Sequence, residues 1–279
     1  MKRIITVQDI SCVGRCSLTV ALPIISAAGV EAGVLPTAVL STHTMFPKYT
    51  FCDLTGEMEK ISVAFDELGI DFDAIYTGYL GSFEQLRLVS DIFDRNGGDK
   101  CTVLIDPVMA DNGKLYKGFT PEFAHEMAKL CSKADIVVPN LTEACFMLDI
   151  PYTEEYTEDL IKDILKKLTG LGPRYAVLTG ITFTEGKLGV YAYDSQENRY
   201  FSYYNEKLPV TYHGTGDIFA SSTLGALMKG HTVESALRVA VDFTLECIRL
   251  TMNDDNRRFY GVNFEDALPY YIKRLEERY

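Results

Sequence analysis

The residues His213-Gly214-Thr215-Gly216-Asp217 set two glycines and a carboxylate where a β-like run over 208–212 gives way to an apolar, helix-like segment over 218–228. Glycines at 214 and 216 let the backbone turn tightly and come close to a ligand, so the unpaired amides of a helix start can face an anion such as a phosphate. The positive end of the same helix favours an ionised carboxylate, which makes Asp217 a charged base at neutral pH. An anion hole beside a fixed base suits phosphoryl transfer to an alcohol, chemistry that rests on positioning and charge neutralisation. The same five residues also describe a capped helix after a glycine turn. Spacing alone does not separate the two.

A second set of carboxylates lies upstream. Asp106 ends an apolar run, Asp111 follows in the loop Asp106-Pro107-Val108-Met109-Ala110-Asp111, and Glu143 falls in the first turn of a helix that starts near Asn140. As hard oxygen donors they suit magnesium held largely through water and shared with nucleotide phosphates; their plainer roles are helix capping for Glu143 and turn formation for the two aspartates. The chain lacks a Gly-x-x-x-x-Gly-Lys-Ser/Thr loop, a Gly-x-Gly-x-x-Gly after its first strand and a Gly-x-Ser-x-Gly elbow, which weakens P-loop, nicotinamide and Ser-His-Asp readings. Of the four histidines, His125 and His231 read as surface residues. The seven cysteines are scattered, mostly within apolar runs, and read as reduced core thiols; only Cys12 and Cys16 are close, with no partner pair for zinc.

The elements that must position these residues alternate. Strands are expected at 4–7, 33–40, 74–77, 102–105, 136–138 and 175–178, and helices at 18–28, 58–68, 84–93, 121–131, from about 140, around 160–168, 233–250 and 264–275. The runs 188–193 and 200–204, split by Asp194-Ser195-Gln196-Glu197-Asn198, read as an antiparallel hairpin. Residues 41–50, polar and aromatic without a period, read as a loop or lid. Such alternation predicts an α/β fold, a mostly parallel sheet with helices on both faces and ligands beyond the carboxyl ends of the strands. With 279 residues, 47% hydrophobic and 24% charged, one domain over 1–279 is expected. A formal net charge of −12 argues against nucleic acid as a partner. No window is long and apolar enough for a membrane span and no signal segment is evident, so a soluble, cytoplasmic protein is expected.

Taken together, Ser41-Thr42-His43-Thr44, Thr77-Gly78-Tyr79-Leu80-Gly81-Ser82, Asp106-Pro107-Val108-Met109, Pro139-Asn140-Leu141-Thr142-Glu143 and Gly214-Thr215-Gly216-Asp217 resemble, in order, the motifs of the pyridoxal kinases of the ribokinase-like superfamily. The glycine and aspartate motif marks only the superfamily; His43-Thr44 and Gly78-Tyr79-Leu80-Gly81 narrow it to the vitamin B6 branch. The resemblance spans most of the chain and implies a three-layer α/β/α fold. It also implies ATP-dependent phosphorylation of the 5'-hydroxymethyl group of pyridoxal, pyridoxamine or pyridoxine, in salvage of pyridoxal 5'-phosphate. On that pattern Asp217 takes the hydroxyl proton, while Gly214, Thr215 and Gly216 form the anion hole. Asp106 and Glu143, with Asp111, organise Mg2+ and ATP phosphates, Asn140 and Thr179 face the nucleotide, and His43, Thr44 and Tyr79 line the pyridine pocket. A monovalent cation, K+ or Na+, and a homodimer are further implied.

Two positions depart from the family. Most members carry Ser after the Gln of the first strand, whereas this chain has Gln8-Asp9-Ile10-Ser11, so that Asp9 is expected to meet a protonated pyridine nitrogen or the amine of pyridoxamine, unless it is a turn residue after the strand. Thr179 stands where some members have a Lys that reaches ATP phosphates. Related hydroxymethylpyrimidine kinases commonly carry Cys where Asp217 stands. A hydroxymethylpyrimidine or other small-alcohol kinase, and a B6-binding carrier without turnover, are the alternatives.

Overall fold

The computed structural model describes residues 1–98 and 100–277. In chain order Arg3–Val13 forms β1, Leu18–Ala27 α1, Glu31–Thr42 β2, Phe51–Asp53 β3 and Thr55–Glu67 α2. There follow β4 (Ala74–Thr77), α3 (Phe83–Asn96), β5 (Thr102–Ile105), β6 (Ala110–Asp111), β7 (Lys114–Leu115), α4 (Pro121–Cys131), β8 (Ile136–Val137), α5 (Leu141–Met147) and α6 (Glu158–Gly170). The last elements are β9 (Tyr175–Ile181), β10 (Lys187–Asp194), β11 (Arg199–Glu206), α7 (Thr215–Met228), α8 (Val233–Met252) and α9 (Phe264–Glu276). These residues form two compact units: Met1–Asp73 with Asn205–Tyr279, and Ala74–Tyr204.

In the first unit β1 runs parallel to β2, with a register shift between Gln8 and Ile10, and β3 adds antiparallel to β2. α7 packs against α1 and α8, and α9 against α8 and α1. Every residue from Ile218 to Ala226 is buried, as expected of a helix apolar on all sides. Gly225 is what lets α9 approach: a Cβ there would lie 2.2 Å from the Tyr271 hydroxyl, which donates to the Ser222 carbonyl at 3.1 Å. Phe243 stacks on Tyr271 at 4.7 Å between ring centroids, worth about 0.5–1.5 kcal/mol beyond area burial.

In the second unit β4, β5, β8 and β9 are parallel, β10 is antiparallel to β9, and β11 follows at the edge. Its helices begin where the side chains dictate. Ser82, Thr120, Asn140 and Thr157 each accept a first-turn amide, and Pro121 follows its cap at the first helical position, where its missing amide costs nothing. α6 buries Ile161, Ile164, Leu165 and Leu168, spaced by three and four, against β9 and β10. The class is three-layer α/β with a mostly parallel sheet and an antiparallel edge hairpin.

Several expectations are corrected. Residues 208–212 are irregular rather than β-like: Pro209 has no amide to give a ladder, and most of the segment is exposed. β1 continues past Val7 to Val13, β3 lies just beyond the 41–50 loop, and the β6–β7 hairpin follows Asp106. His125 is exposed as expected, but His231 is buried, one ring nitrogen 2.8 Å from Ser235 Oγ and the other 2.9 Å from the Leu275 carbonyl. The seven cysteines are all free, and Cys12 and Cys52 are exposed rather than in the core. Among the described residues no helix is long and apolar enough to cross a membrane.

Candidate active site

Gly214 is the N-cap of α7 with φ 82, and a Cβ there would lie 2.0 Å from the Arg15 carbonyl oxygen. Only glycine meets both the left-handed backbone and that close approach. The 213–216 turn is thereby seated on the segment before α1, and Thr215 Oγ1 donates to the Tyr212 carbonyl at 3.3 Å. Asp217 stands in the first turn of α7, where the backbone amide of Ser17 nearby favours its charged form. Protein crowds the carboxyl although the residue keeps a solvent-accessible edge. Burial, with the charge of Asp9, pushes its pKa up to about 7 against the pull of the Ser17 amide. Desolvation thus outweighs the helix dipole that predicted a fully ionised group, and leaves a base whose pKa lies near neutral pH.

Asp9 lies inside β1 at the register shift and is buried, so its reading as a turn residue is overturned. A shift of this kind re-aims a side chain that the regular ladder would constrain. Burial raises the Asp9 pKa; the nearby Ser17 hydroxyl, donation from Ser11, whose Oγ lies 3.1 Å from Oδ2, and the positive form of His43 oppose that.

His43 joins two loops. Its Nδ1 accepts from the Met45 amide at 3.2 Å, which leaves Nε2 to donate to the Tyr260 carbonyl at 2.9 Å and assigns the neutral tautomer. Around its ring lie His213 at 4.5 Å, Phe46 at 5.0 Å and Tyr260 at 6.4 Å, and Phe46 also meets Phe259 at 5.0 Å. Burial lowers the pKa of His43, and burial plus the neighbouring His43 takes His213 down to about 4. Both rings are therefore neutral aromatic surface at pH 7. Gly14 is required beside them, since a Cβ would come 2.7 Å from His43 Cδ2. Thr44 is exposed on the adjoining turn. Phe259 and Tyr260 were not expected from the sequence, and neither was Ser17; an aromatic pair in a charged stretch carries no motif.

The second unit gathers the other expected residues. Asn140 and Glu143 form a reciprocal capping box: Asn140 Oδ1 accepts the Glu143 amide at 2.9 Å, and Glu143 Oε2 accepts the Asn140 amide at 2.9 Å. Glu143 Oε1 also takes the Met109 amide at 3.2 Å, and Asn140 Nδ2 donates to the Ala110 carbonyl at 2.8 Å, pinning the loop after Asp106. Burial raises the Glu143 pKa despite these amides. Asp106 is buried, near enough with Glu143 to raise the Cys131 thiol once burial has done so. Asp111 is exposed and accepts from the amide and side chain of Asn112 at 2.8 and 3.0 Å. Thr179 bridges to Asn140, its amide donating to the Pro139 carbonyl at 3.1 Å, and Gly180 follows at φ 71. Tyr79 meets Phe119 at 5.8 Å.

The expected metal residues are thus not assembled as a cage. Among the described residues no group of three or more His, Cys, Asp or Glu side chains is disposed to hold a metal ion, and Glu143 spends both oxygens on backbone amides.

One unit thus carries a glycine-capped helix with a crowded carboxyl in its first turn, and the other carries carboxylates at its strand ends. The chain belongs to the phosphomethylpyrimidine kinase family, whose model matches residues 25–259. A protein of Bacteroides thetaiotaomicron, provisionally assigned as a phosphomethylpyrimidine kinase and solved with pyridoxal, is 41% identical with a TM-score of 0.93, over 100% of this chain and 96% of that one. The pyridoxal kinase of Lactobacillus plantarum is 26% identical with a TM-score of 0.89, over 100% of both chains. The pyridoxal kinase of Arabidopsis thaliana is 25% identical over 92% of this chain and 85% of its own length. With such relatives it is a kinase of the pyridoxal kinase group.

Proposed function

We infer that this chain transfers a phosphoryl group from ATP to the 5'-hydroxymethyl group of a B6 vitamer, acting over 1–279 as one cytoplasmic kinase domain and as a homodimer. The observation that carries the reading is Asp217, a crowded carboxyl in the first turn of α7, its pKa near 7, next to the backbone of Gly214. A primary alcohol is a poor nucleophile until a positioned base accepts its proton, a contribution on the order of 10² to 10⁴ in rate. Asp217 in its ionised form takes that proton. The amides of Gly214, Thr215 and Gly216, at the positive end of a fourteen-residue helix, stabilise charge on the migrating group.

The acceptor is held by the first unit. His43, kept neutral and fixed by Tyr260 and Met45, offers an aromatic face, and Thr44 an exposed hydroxyl. Asp9 offers a carboxylate to the pyridine nitrogen or to an amine. In the second unit Asn140 and Thr179 serve the nucleotide, and Tyr79 offers an aromatic ring against Phe119. The donor set there fits Mg2+ only in part: Asp106 and Asp111 are hard oxygen donors, while Glu143 is committed to backbone amides and acts through the loop it holds. Magnesium, where bound, would neutralise phosphate charge, held mainly by ATP oxygens and water with Asp106. Titrating K+ or Na+ into the assay tests the monovalent ion.

The test is phosphate transfer from ATP by the purified chain to pyridoxal, pyridoxamine and pyridoxine, with magnesium supplied. Turnover of at least one vitamer is expected, and Asp217→Asn should lower turnover by roughly 10² to 10⁴ with binding retained. Failure with every vitamer removes the reading. The family's own description, phosphomethylpyrimidine kinase, favours a pyrimidine acceptor as the one second reading. Including hydroxymethylpyrimidine and its phosphate ester in the panel separates the two by kcat/KM. Binding without turnover identifies a carrier instead.

A further inference from the structure

Asn263 stands at the N-cap of α9, where an asparagine ordinarily lends its side-chain oxygen to a first-turn amide, yet it makes no cap hydrogen bond. Its polar groups go elsewhere. The amide donates at 2.7 Å to Thr251 Oγ1 in the last turn of α8, and Nδ2 donates to Asp254 Oδ2 at 2.8 Å, so the 253–262 connection is closed at its base. Its Oδ1 accepts from the Arg15 guanidinium. Asn263 is buried, and its diversion from its own helix leaves α9 without a side-chain cap in order to hold a residue far away in the sequence.

Arg15 is in turn gripped from two sides. A Cβ at Gly261 would lie 2.5 Å from Arg15 Cβ, and a Cβ at Gly214 would lie 2.0 Å from the Arg15 carbonyl oxygen, so the α8–α9 connection and the turn before α7 press on one residue. Arg15 Nε also lies 3.3 Å from Glu265 Oε1, but that carboxylate is half exposed, and an ion pair with so wet a partner contributes little. The contact with buried Asn263 is the one that fixes the guanidinium. We propose that Arg15 and Asn263 are positioning residues: the pair clamps the turn before α1 to the α8–α9 connection, and so sets where the Gly214–Gly216 amides stand. This rests on the reading of those amides as the anion hole.

The clamp has a kinetic signature. Amides that stabilise charge as the phosphoryl group moves act on kcat, whereas groups that hold the vitamer before transfer act through KM. Removing one donor of an anion hole costs about 10² to 10³ in kcat, so a turn left in place but loosened should lose a part of that. The same connection holds His43 through the Tyr260 carbonyl at 2.9 Å, a contact that a change at Arg15 leaves in place. The acceptor KM should therefore stand while kcat falls.

The experiment measures kcat and both KM values, with the vitamer that turns over best, for the wild type, Arg15→Met, Asn263→Ala, the Arg15→Met/Asn263→Ala double variant and Glu265→Gln. Arg15→Met should lose about tenfold or more in kcat, with the KM for ATP and for the vitamer within about threefold. Asn263→Ala should lose as much in kcat, and the double variant should fall no further than the worse single variant, since the two residues make one contact. Glu265→Gln should keep kcat within about twofold of the wild type. Hydrogen exchange of the Ile218 amide, which donates to the Gly214 carbonyl at 3.1 Å, reads the clamp without turnover. It should quicken about threefold or more in Arg15→Lys, a milder change that keeps the charge and loses the planar fork. Wild-type kcat in folded Arg15→Met overturns the proposal, as does a fully additive loss in the double variant or a wild-type Ile218 exchange rate in Arg15→Lys. A wild type that transfers phosphate to no vitamer is instead a failure of the functional reading, and the Ile218 exchange then judges the clamp by itself.

Discussion

At the scale of single residues, the proposed role of Asp217 as the base carries a cost. Its pKa near 7 places its titration within the working range, so kcat/KM should rise with pH through about 7 and be lost as pH falls below it. A profile flat from pH 5 to 9 would remove Asp217 as the titrating base. The stability consequence has the opposite sense. A carboxyl whose pKa is raised on folding is held best in its protonated form, so its contribution is fully present below the ordinary carboxylate pKa and is lost as pH rises through about 7. Asp217→Asn should therefore stabilise the fold by on the order of 1–3 kcal/mol at pH 8 and by little at pH 4, read by denaturant unfolding at both. His43 is the other test. His43→Ala removes the link to Tyr260 and the aromatic face, and should raise the acceptor KM about tenfold or more while leaving the KM for ATP within twofold.

At the scale of elements, two turns carry the design. Gly214→Ala must relieve both a positive φ and a 2.0 Å approach to the Arg15 carbonyl, so a loss of about 2–4 kcal/mol and of most activity is expected from thermal melting and rate measurements. Asn140→Ala opens the capping box of a seven-residue helix and frees the 106–111 loop, and should cost about 1–2 kcal/mol with a raised KM for ATP. These elements were legible to different degrees. α4 and α6 could be read from a Thr-Pro start and from three- and four-residue apolar spacing, because those signals are local. β3 and β6–β7 could not: two or three residues become a strand only through a partner, and the partner is set by the tertiary fold. The 208–212 run failed for the converse reason, its alternating apolar residues having no neighbouring strand. In the site, Gly214 and Asp217 were legible because a helix start announces itself. Asp217's charge state was not, since it depends on burial that only packing supplies.

At the scale of the whole molecule, the expected residues divide between two compact units, with Asp9, His43, Thr44, Gly214 and Asp217 in one and Tyr79, Asp106, Asp111, Asn140, Glu143 and Thr179 in the other. Hydrogen exchange tests that division. A B6 vitamer added alone should protect amides around 9–17, 43–45 and 214–217, and a non-hydrolysable ATP analogue those around 106–111, 140–143 and 179–180. Protection of one set by both ligands equally would refute it. The discontinuity of the first unit also bears on biosynthesis. Ala74–Tyr204 is one uninterrupted segment, whereas the stretch that begins at Met1 waits for the segment after Tyr204 before α1 has α7 and α9 to pack on. On the proposed reading of Asp217 as the proton acceptor, that group arrives in the last segment, so a prematurely terminated chain would lack the group that activates the alcohol.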